Sequence, residues 1–325
     1  LLTTAHVDAA EVGVHGRAVA AVLDVHDVAI AILLAIATPE IDLLGITAVV
    51  GNVPVAITSR NARMICEMAS REYIPVYNGE DKPLKKPQVT GEDAHGRSGL
   101  EGVEIVEPKF PPESKHAVDL IIESVLSNEG EISICAMGPL TNIARAFERE
   151  PRLPKMIKEL VIMGGSKFQG GNITPMAEFN FYVDPHAADI VFKSGANITL
   201  APLDVTFQAR MEEEWIHRLA DAGDIGKFAR DILMPSYRFN SERYEGEYAP
   251  LHDPFTVAYI IDPSLFKKRP VRVSIETESP LCMGASSIDW WNVTGDKPNC
   301  NVLSKVDSDG YFELIYQCVK SLDNK

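Results

Sequence analysis

Apolar positions along this chain follow two alternating rhythms. One is the short, continuous, β-branched run. "IDLLGITAVV" (41–50) is such a run, closed by Gly51 and Asn52, and it predicts a strand ending in a turn. "IPVYNG" (74–79), "ISICAMG" (132–138), "ELVIMGG" (159–165) and "ITLAPLD" (198–204) repeat the pattern. The other rhythm places apolar residues at helical spacing. It fits "AITSRNARMICEMAS" (56–70), "SKHAVDLIIESVLSN" (114–128), with Ser114 as the expected N-cap, and "PLTNIARAFERE" (139–150), with Pro139 near the first turn. Strands that alternate with helices and are apolar throughout predict a mainly parallel sheet covered on both faces. "PVRVSIETES" (270–279) reads as a late antiparallel strand and "YFELIYQCVKSL" (311–322) as a closing helix. No internal repeat or low-complexity linker interrupts the pattern. The expectation is a single α/β domain over 1–325, with a central parallel sheet flanked by helices.

The first 26 residues are the exception. They are rich in Ala, Val, His and Asp and contain no Ile, Lys, Pro or Phe. "AVAAVLDV" (18–25) suits a strand, but the residues before it have no period, so 1–26 is atypical within the domain. Immediately after it, "AVLDVHDVAIAILLAIATPEI" (21–41) passes from Asp24, His26 and Asp27 into a strongly apolar helix.

Composition narrows the functional classes. The net charge is −15, which disfavours a nucleic-acid backbone as partner and favours a small neutral or cationic ligand. No stretch of 18 uninterrupted apolar residues occurs, so no membrane span is expected. The apolar run from Val28 to Thr38 has no cleavage pattern and does not read as a signal peptide. The five cysteines, Cys66, Cys135, Cys282, Cys300 and Cys318, are scattered and form no CxxC. A reduced, cytoplasmic setting is therefore expected, and the N-x-T sequons at Asn172, Asn197 and Asn292 read as chance.

In a parallel sheet, ligands sit at the carboxyl ends of the strands. That singles out Asn52, Met137-Gly138, Gly164-Gly165 and Asp204. Three other stretches carry chemistry. "HDPFTVAYIIDP" (252–263) puts His252 and Asp253 at the mouth of a helix, where Asp253 is either a plain N-cap or a ligand. In "GGNITPMAEFNFYVDPHAA" (170–188), Asn172, Glu178 and Asn180 stand among apolar and aromatic residues. If that segment is extended, Glu178 and Asn180 face one side and suit a polyol such as a sugar; a satisfied polar network is the alternative. "GEDAHGRSGLEG" (91–102) has four glycines and His95, and reads as a lid or as a surface loop.

Taken in order, "ILLAIATPEIDLLGITAVVGN", "RNA" (60–62), "HGRSGL", "MGPLTNIA", "VIMGG", "MAEFNFYVDPHAA" and "HDPFTVAYIIDP" resemble the inosine-uridine-preferring nucleoside hydrolase family from Asp27 to the C-terminus. The resemblance implies an N-ribohydrolase that splits ribonucleosides into ribose and base. It also implies one calcium ion, a nucleoside as the small-molecule partner, no nucleic acid or membrane partner, and a homodimer or homotetramer. By this resemblance, Asp27, Asn52, Met163, Asn172, Glu178 and Asn180 contact ribose. The carbonyl of Met137 and the carboxylates of Asp253 and Asp27 face calcium. His252 is the proposed acid for the leaving base, His95 belongs to the flexible loop, and "SYRFNSERYEGEY" (236–248) occupies the place of a helix closing over the base.

The opening stretch departs from the family's D-x-D-x-x-x-D-D motif. Counted back without gaps, Asp27 keeps the first of the paired aspartates, but Val28, Ala21 and Leu23 stand where the other three fall. Asp24 and His26 occupy positions that hold proline or glycine and an apolar residue in the family. The catalytic candidates are thus His252, Asp27 and Asp24, with calcium weakened by the missing carboxylates. Three readings stay open: a weakened, nucleoside-binding pseudoenzyme; Asp24 taking over a lost ligand through a shifted strand; or an opening segment whose written residues differ from those of the chain that folds. An oxidoreductase is disfavoured, since no G-x-G-x-x-G follows the first strand.

Overall fold

The computed structural model describes residues 16–22, 26–91, 96, 98–246 and 249–323. Along the chain the elements are β1 (Gly16–Val22), α1 (His26–Ala37), β2 (Ile41–Ala48), α2 (Val55–Met68), β3 (Val76–Asn78), α3 (Ala117–Ser127), β4 (Ile132–Met137), α4 (Thr141–Arg149), α5 (Leu153–Met156), β5 (Glu159–Met163), α6 (Phe179–Val183), α7 (Pro185–Lys193), β6 (Ile198–Ala201), α8 (Leu203–Thr206), α9 (Glu213–Leu219), α10 (Asp224–Arg243), α11 (Pro254–Ile261), β7 (Phe266–Ile275), β8 (Ser286–Asp289), β9 (Cys300–Val306) and α12 (Ser308–Asp323).

The strands form one sheet in the order β3-β2-β1-β4-β5-β6-β9-β7-β8. All pairings from β3 to β9 are parallel, while β7 runs antiparallel to β9 and β8 antiparallel to β7. The late antiparallel strand is thus where the pattern put it. The strand order reverses between β1 and β4, which pair from Arg17–Ile132 to Val22–Met137. Parallel sheets open a crevice for ligands at such a reversal.

β1 settles part of the atypical segment. The strand spans Gly16–Val22, two residues earlier than "AVAAVLDV" suggested, and it is central rather than peripheral. It pairs in parallel with β2 on one edge and with β4 on the other. Arg17, at the strand's first turn of register, ion-pairs with Asp42 at 3.4 Å.

Helix α1 explains its own composition. His26 to Ala35 and Ala37 are all buried, because α1 packs against α2, α10, α11 and α12 on one face of the sheet. A helix enclosed on every side is apolar on every side. The other face is covered by α3, α4 and α7, which bury their own core of Ile, Val, Leu and Phe side chains. The start of α3 differs from expectation. His116, not Ser114, is the N-cap, and its Nδ1 accepts a hydrogen bond from the Val118 amide at 3.3 Å.

A buried polar network pins the loop that follows β3. Asp184, between α6 and α7, accepts from the Leu84 amide at 2.9 Å, the Thr141 hydroxyl at 2.8 Å and the Ala187 amide at 3.0 Å. Asn142 donates to the Ala48 carbonyl at 2.9 Å and accepts from the Glu80 amide at 2.8 Å. A Cβ at Gly79 would lie 2.3 Å from Asn142, so only glycine passes there. Asp184→Ala leaves three donors unsatisfied. The expected loss is roughly 3 kcal/mol of folding stability, read by chemical denaturation. A loss below about 1 kcal/mol would show that water replaces the carboxylate.

Candidate active site

A cavity of about 310 Å³ opens at the carboxyl ends of the central strands, at the strand-order reversal. Its wall is built from separate parts of the chain. Asp27 comes from the first turn of α1, Asn52 from the turn after β2, Met137 from the end of β4 and Met163 from the end of β5. Asn172, Glu178 and Asn180 come from the segment leading into α6, and His252 and Asp253 from the entry to α11. These nine are the residues that the family resemblance assigns to ribose, calcium or catalysis and that fall among the described residues. Asp24 and His95 lie outside the described residues. Asp204 turns elsewhere: its carboxylate accepts from the amides of Lys167 and Phe168 at 2.6 and 2.8 Å and holds that loop.

Glu178 and Asn180 come together for a reason other than the one expected. The segment is not extended. Glu178 is the N-cap of α6, with Oε1 accepting from the Asn180 amide at 2.8 Å and Oε2 from the amides of Gly165 and Phe181 at 3.0 and 3.2 Å. Asn180 then points its Nδ2 at the Met163 carbonyl, 3.2 Å away. Asn172 is also anchored: its Oδ1 accepts from the Phe179 amide at 2.9 Å and its carbonyl from Arg243. One helix start therefore fixes three polar groups in the wall. A Cβ on Gly164 would approach the Phe181 ring to 2.5 Å, so the close seat of this turn under β5 requires glycine.

Asp253 occupies the N-cap position of α11 yet makes no side-chain capping bond. The plain capping role is thereby excluded. Its carboxylate is buried, and no hydrogen-bond donor among the described residues reaches it. Burial pushes its pKa well above the ordinary carboxylate value, and the charges of Asp27 and Glu178 push the same way. Asp27 is buried too. Its Oδ2 accepts from the His252 amide at 2.7 Å, while burial pushes its pKa up to about 7. Glu178 is likewise pushed up to about 7 by burial, against three amide donors that pull it down.

Three carboxylates line one cavity, none of them ion-paired to Lys or Arg among the described residues, and they outnumber the Arg243 guanidinium that lines it with them, so negative charge is in excess. Such a group either takes up protons or takes up a cation. Asp27 and Asp253, which line the cavity together with Met137, carry hard oxygen donors and fit part of a calcium shell. The next position, Val28, is apolar and 2% exposed. Among the described residues, no three His, Cys, Asp or Glu side chains stand close enough together to hold a metal ion.

His252 sits half-buried at the wall, and burial pulls its pKa down to about 4, so the ring is neutral at pH 7. Phe207 meets it edge-on at 5.6 Å and also packs against Tyr244 at 5.3 Å. Helix α10 completes this side. Ser236, Phe239, Asn240 and Arg243 point into the cavity at helical spacing, followed by Tyr244. Asn240, which lines the cavity, donates from Nδ2 to the Ser236 carbonyl at 2.9 Å. The place of this stretch was legible; its individual residues were not. They reveal themselves only once the phase of α10 is known.

Several known proteins are similar to this chain. The family model described as inosine-uridine preferring nucleoside hydrolase matches residues 23–313. An uncharacterised protein of Schizosaccharomyces pombe is 44% identical over 293 residues, spanning 90% of this chain and 94% of that one. The pyrimidine-specific ribonucleoside hydrolase RihA of Escherichia coli (strain SMS-3-5 / SECEC) is 38% identical over 297 residues, spanning 91% and 95%. Among solved structures, the purine-preferring ribonucleoside hydrolase from Gardnerella vaginalis superposes with a TM-score of 0.89 at 29% identity, covering 94% of this chain and 99% of its own.

Proposed function

The chain belongs to the inosine-uridine preferring nucleoside hydrolase family, and we propose from that premise that it cleaves the N-glycosidic bond of ribonucleosides with water, releasing ribose and free base. The observation that carries the reading is the meeting of Asp27, Asp253, Glu178, Asn180 and His252 in one cavity at the strand-order reversal.

The roles follow from the chemistry of each group. Breaking the bond to the base leaves positive charge on the ribose, as in other glycosidic cleavages. The carboxylates of Glu178, Asp27 and Asp253 surround the sugar with negative charge, which favours that transition state over the neutral substrate. Glu178 has lone pairs left beyond its three amide donors, and Asn180 and Asn52 offer further amide groups, so the sugar hydroxyls find partners on this wall. Asp27 is held by the His252 amide through one oxygen and offers the other to the proton of the attacking water. His252 faces the departing base from the opposite side, next to the aromatic wall of Phe207 and Tyr244. Asp27, Asp253 and the Met137 carbonyl would hold the calcium ion that the family resemblance implies. Such an ion would supply Lewis-acid chemistry there, for sugar hydroxyls and for water.

A second reading is favoured by one observation. Val28 is buried where the family motif carries an aspartate, so the chain binds nucleosides but turns them over weakly. Hydrolysis of uridine and inosine separates the two. Base and ribose released in equal amounts, lost with a chelator and regained with calcium, support the hydrolase. Binding seen by calorimetry without release of base supports the binding protein. Neither binding nor release would overturn both.

A further inference from the structure

Thr206, at the end of α8, is fully buried and 46 positions away from His252 in the chain, yet its Oγ1 stands 2.7 Å from His252 Nδ1. We propose that Thr206 is a positioning residue for the cleavage: it fixes the neutral ring of His252 in the tautomer whose hydrogen sits on Nε2, so that Nε2–H donates a hydrogen bond to the departing base while the base takes its proton from water. The proposal rests on the nucleoside-hydrolase reading of the cavity.

The argument is one of hydrogen-bond supply. A threonine hydroxyl has one proton to give. Two acceptors compete for it here, the Leu203 carbonyl at 3.4 Å and His252 Nδ1 at 2.7 Å. The longer contact is at the edge of a hydrogen bond and the shorter is near the optimum for a hydroxyl donor. The proton therefore goes to Nδ1. A neutral imidazole that accepts at Nδ1 carries its own hydrogen at Nε2. No side chain or backbone group among the described residues bonds that nitrogen, and the ring lines the cavity.

Orientation is fixed by the same element. Phe207, the next residue along, lies edge-on to the imidazole at 72°. The backbone amide of His252 is tied to Asp27. The ring is thus held by hydroxyl, aromatic edge and backbone at once. Nothing in "PLDVTFQ" marks Thr206 by type or spacing, so its role is visible only in three dimensions.

The test compares Thr206→Val, which keeps shape and removes the hydroxyl, with Thr206→Ser, which keeps the hydroxyl. Nitrogen-15 histidine spectra at pH 8 read the tautomer directly. The parent chain and Thr206→Ser should show His252 protonated on Nε2, and Thr206→Val a shift toward Nδ1. Kinetically, Thr206→Val should lower kcat on uridine by about 10–100-fold with KM within about 2-fold. It should leave 4-nitrophenyl β-ribofuranoside, whose leaving group is stable without a hydrogen bond from the ring, nearly unchanged. An unchanged tautomer in Thr206→Val overturns the proposal, as does an equal loss on both substrates. If the parent chain hydrolyses neither compound, the hydrolase reading fails, and the spectra alone still decide whether Thr206 sets the ring.

Discussion

Asp253→Asn will make the metal-free protein more stable and its turnover of ribonucleosides at least about 10³-fold slower. The two effects have one cause. Asp253 is buried, accepts no hydrogen bond from the described residues, and is raised in pKa by burial and by the neighbouring charges of Asp27 and Glu178. The amide keeps the shape and removes one member of a repelling group. The expected gain is about 1–3 kcal/mol, seen as a rise of a few degrees in Tm. The same charge is what a cation and a positive transition state require, so the site stores instability for function. Calorimetry on both proteins, with and without calcium, gives the check. Calcium should raise Tm in the parent and do little in the variant. A lower Tm for metal-free Asp253→Asn would mean that the carboxylate holds a structural bond. Unchanged turnover would remove Asp253 from the site.

The sheet was legible because its strands are buried on both faces and therefore continuously apolar. "ISICAMG" and "ELVIMGG" need no context to be read, and β4 and β5 are where they fall. β1 was half legible: Ala and Val suit a central strand but are equally at home in a helix, and the neighbouring strands decided. The site was legible by residue type rather than by reason. Glu178 and Asn180 stood out as polar groups in an apolar segment, yet the geometry that joins them is a helix N-cap, not a strand face. Asp253 looked like a cap and caps nothing. Thr206 and Asn240 were hidden because their roles depend on the turn at the end of β6 and on the phase of α10. Neither has a local signal, and tertiary packing alone brings Thr206 to His252 and Asn240 to the cavity.

The remaining question is the end of β1, where one substitution pair carries the largest expected gain. Val28 lies in the first turn of α1 beside Asp27, 2% exposed, at the position where the family motif has its second paired aspartate. Leu23 holds another motif position and lies outside the described residues. Leu23→Asp with Val28→Asp should raise calcium affinity and uridine turnover together, each by at least about 100-fold, because affinity grows with the number of carboxylates around the ion. Asp253 and Met137 already line the cavity beside Asp27. Each single change should recover little. Val28→Asp alone adds a further charge where negative charge is already in excess and should lower the Tm of the metal-free protein, an effect calcium reverses only in the double variant. Calcium titration by calorimetry beside uridine and inosine hydrolysis decides the matter. Tight calcium binding and ordinary turnover by the parent chain would sink the prediction and show that another group near the end of β1 has taken over. His26 is poorly placed for that role, since its Nε2 lies 3.2 Å from the Glu101 carbonyl and burial lowers its pKa to about 4. Asp24 is then the group to replace next: Asp24→Asn should abolish binding in the parent and leave the double variant unaffected.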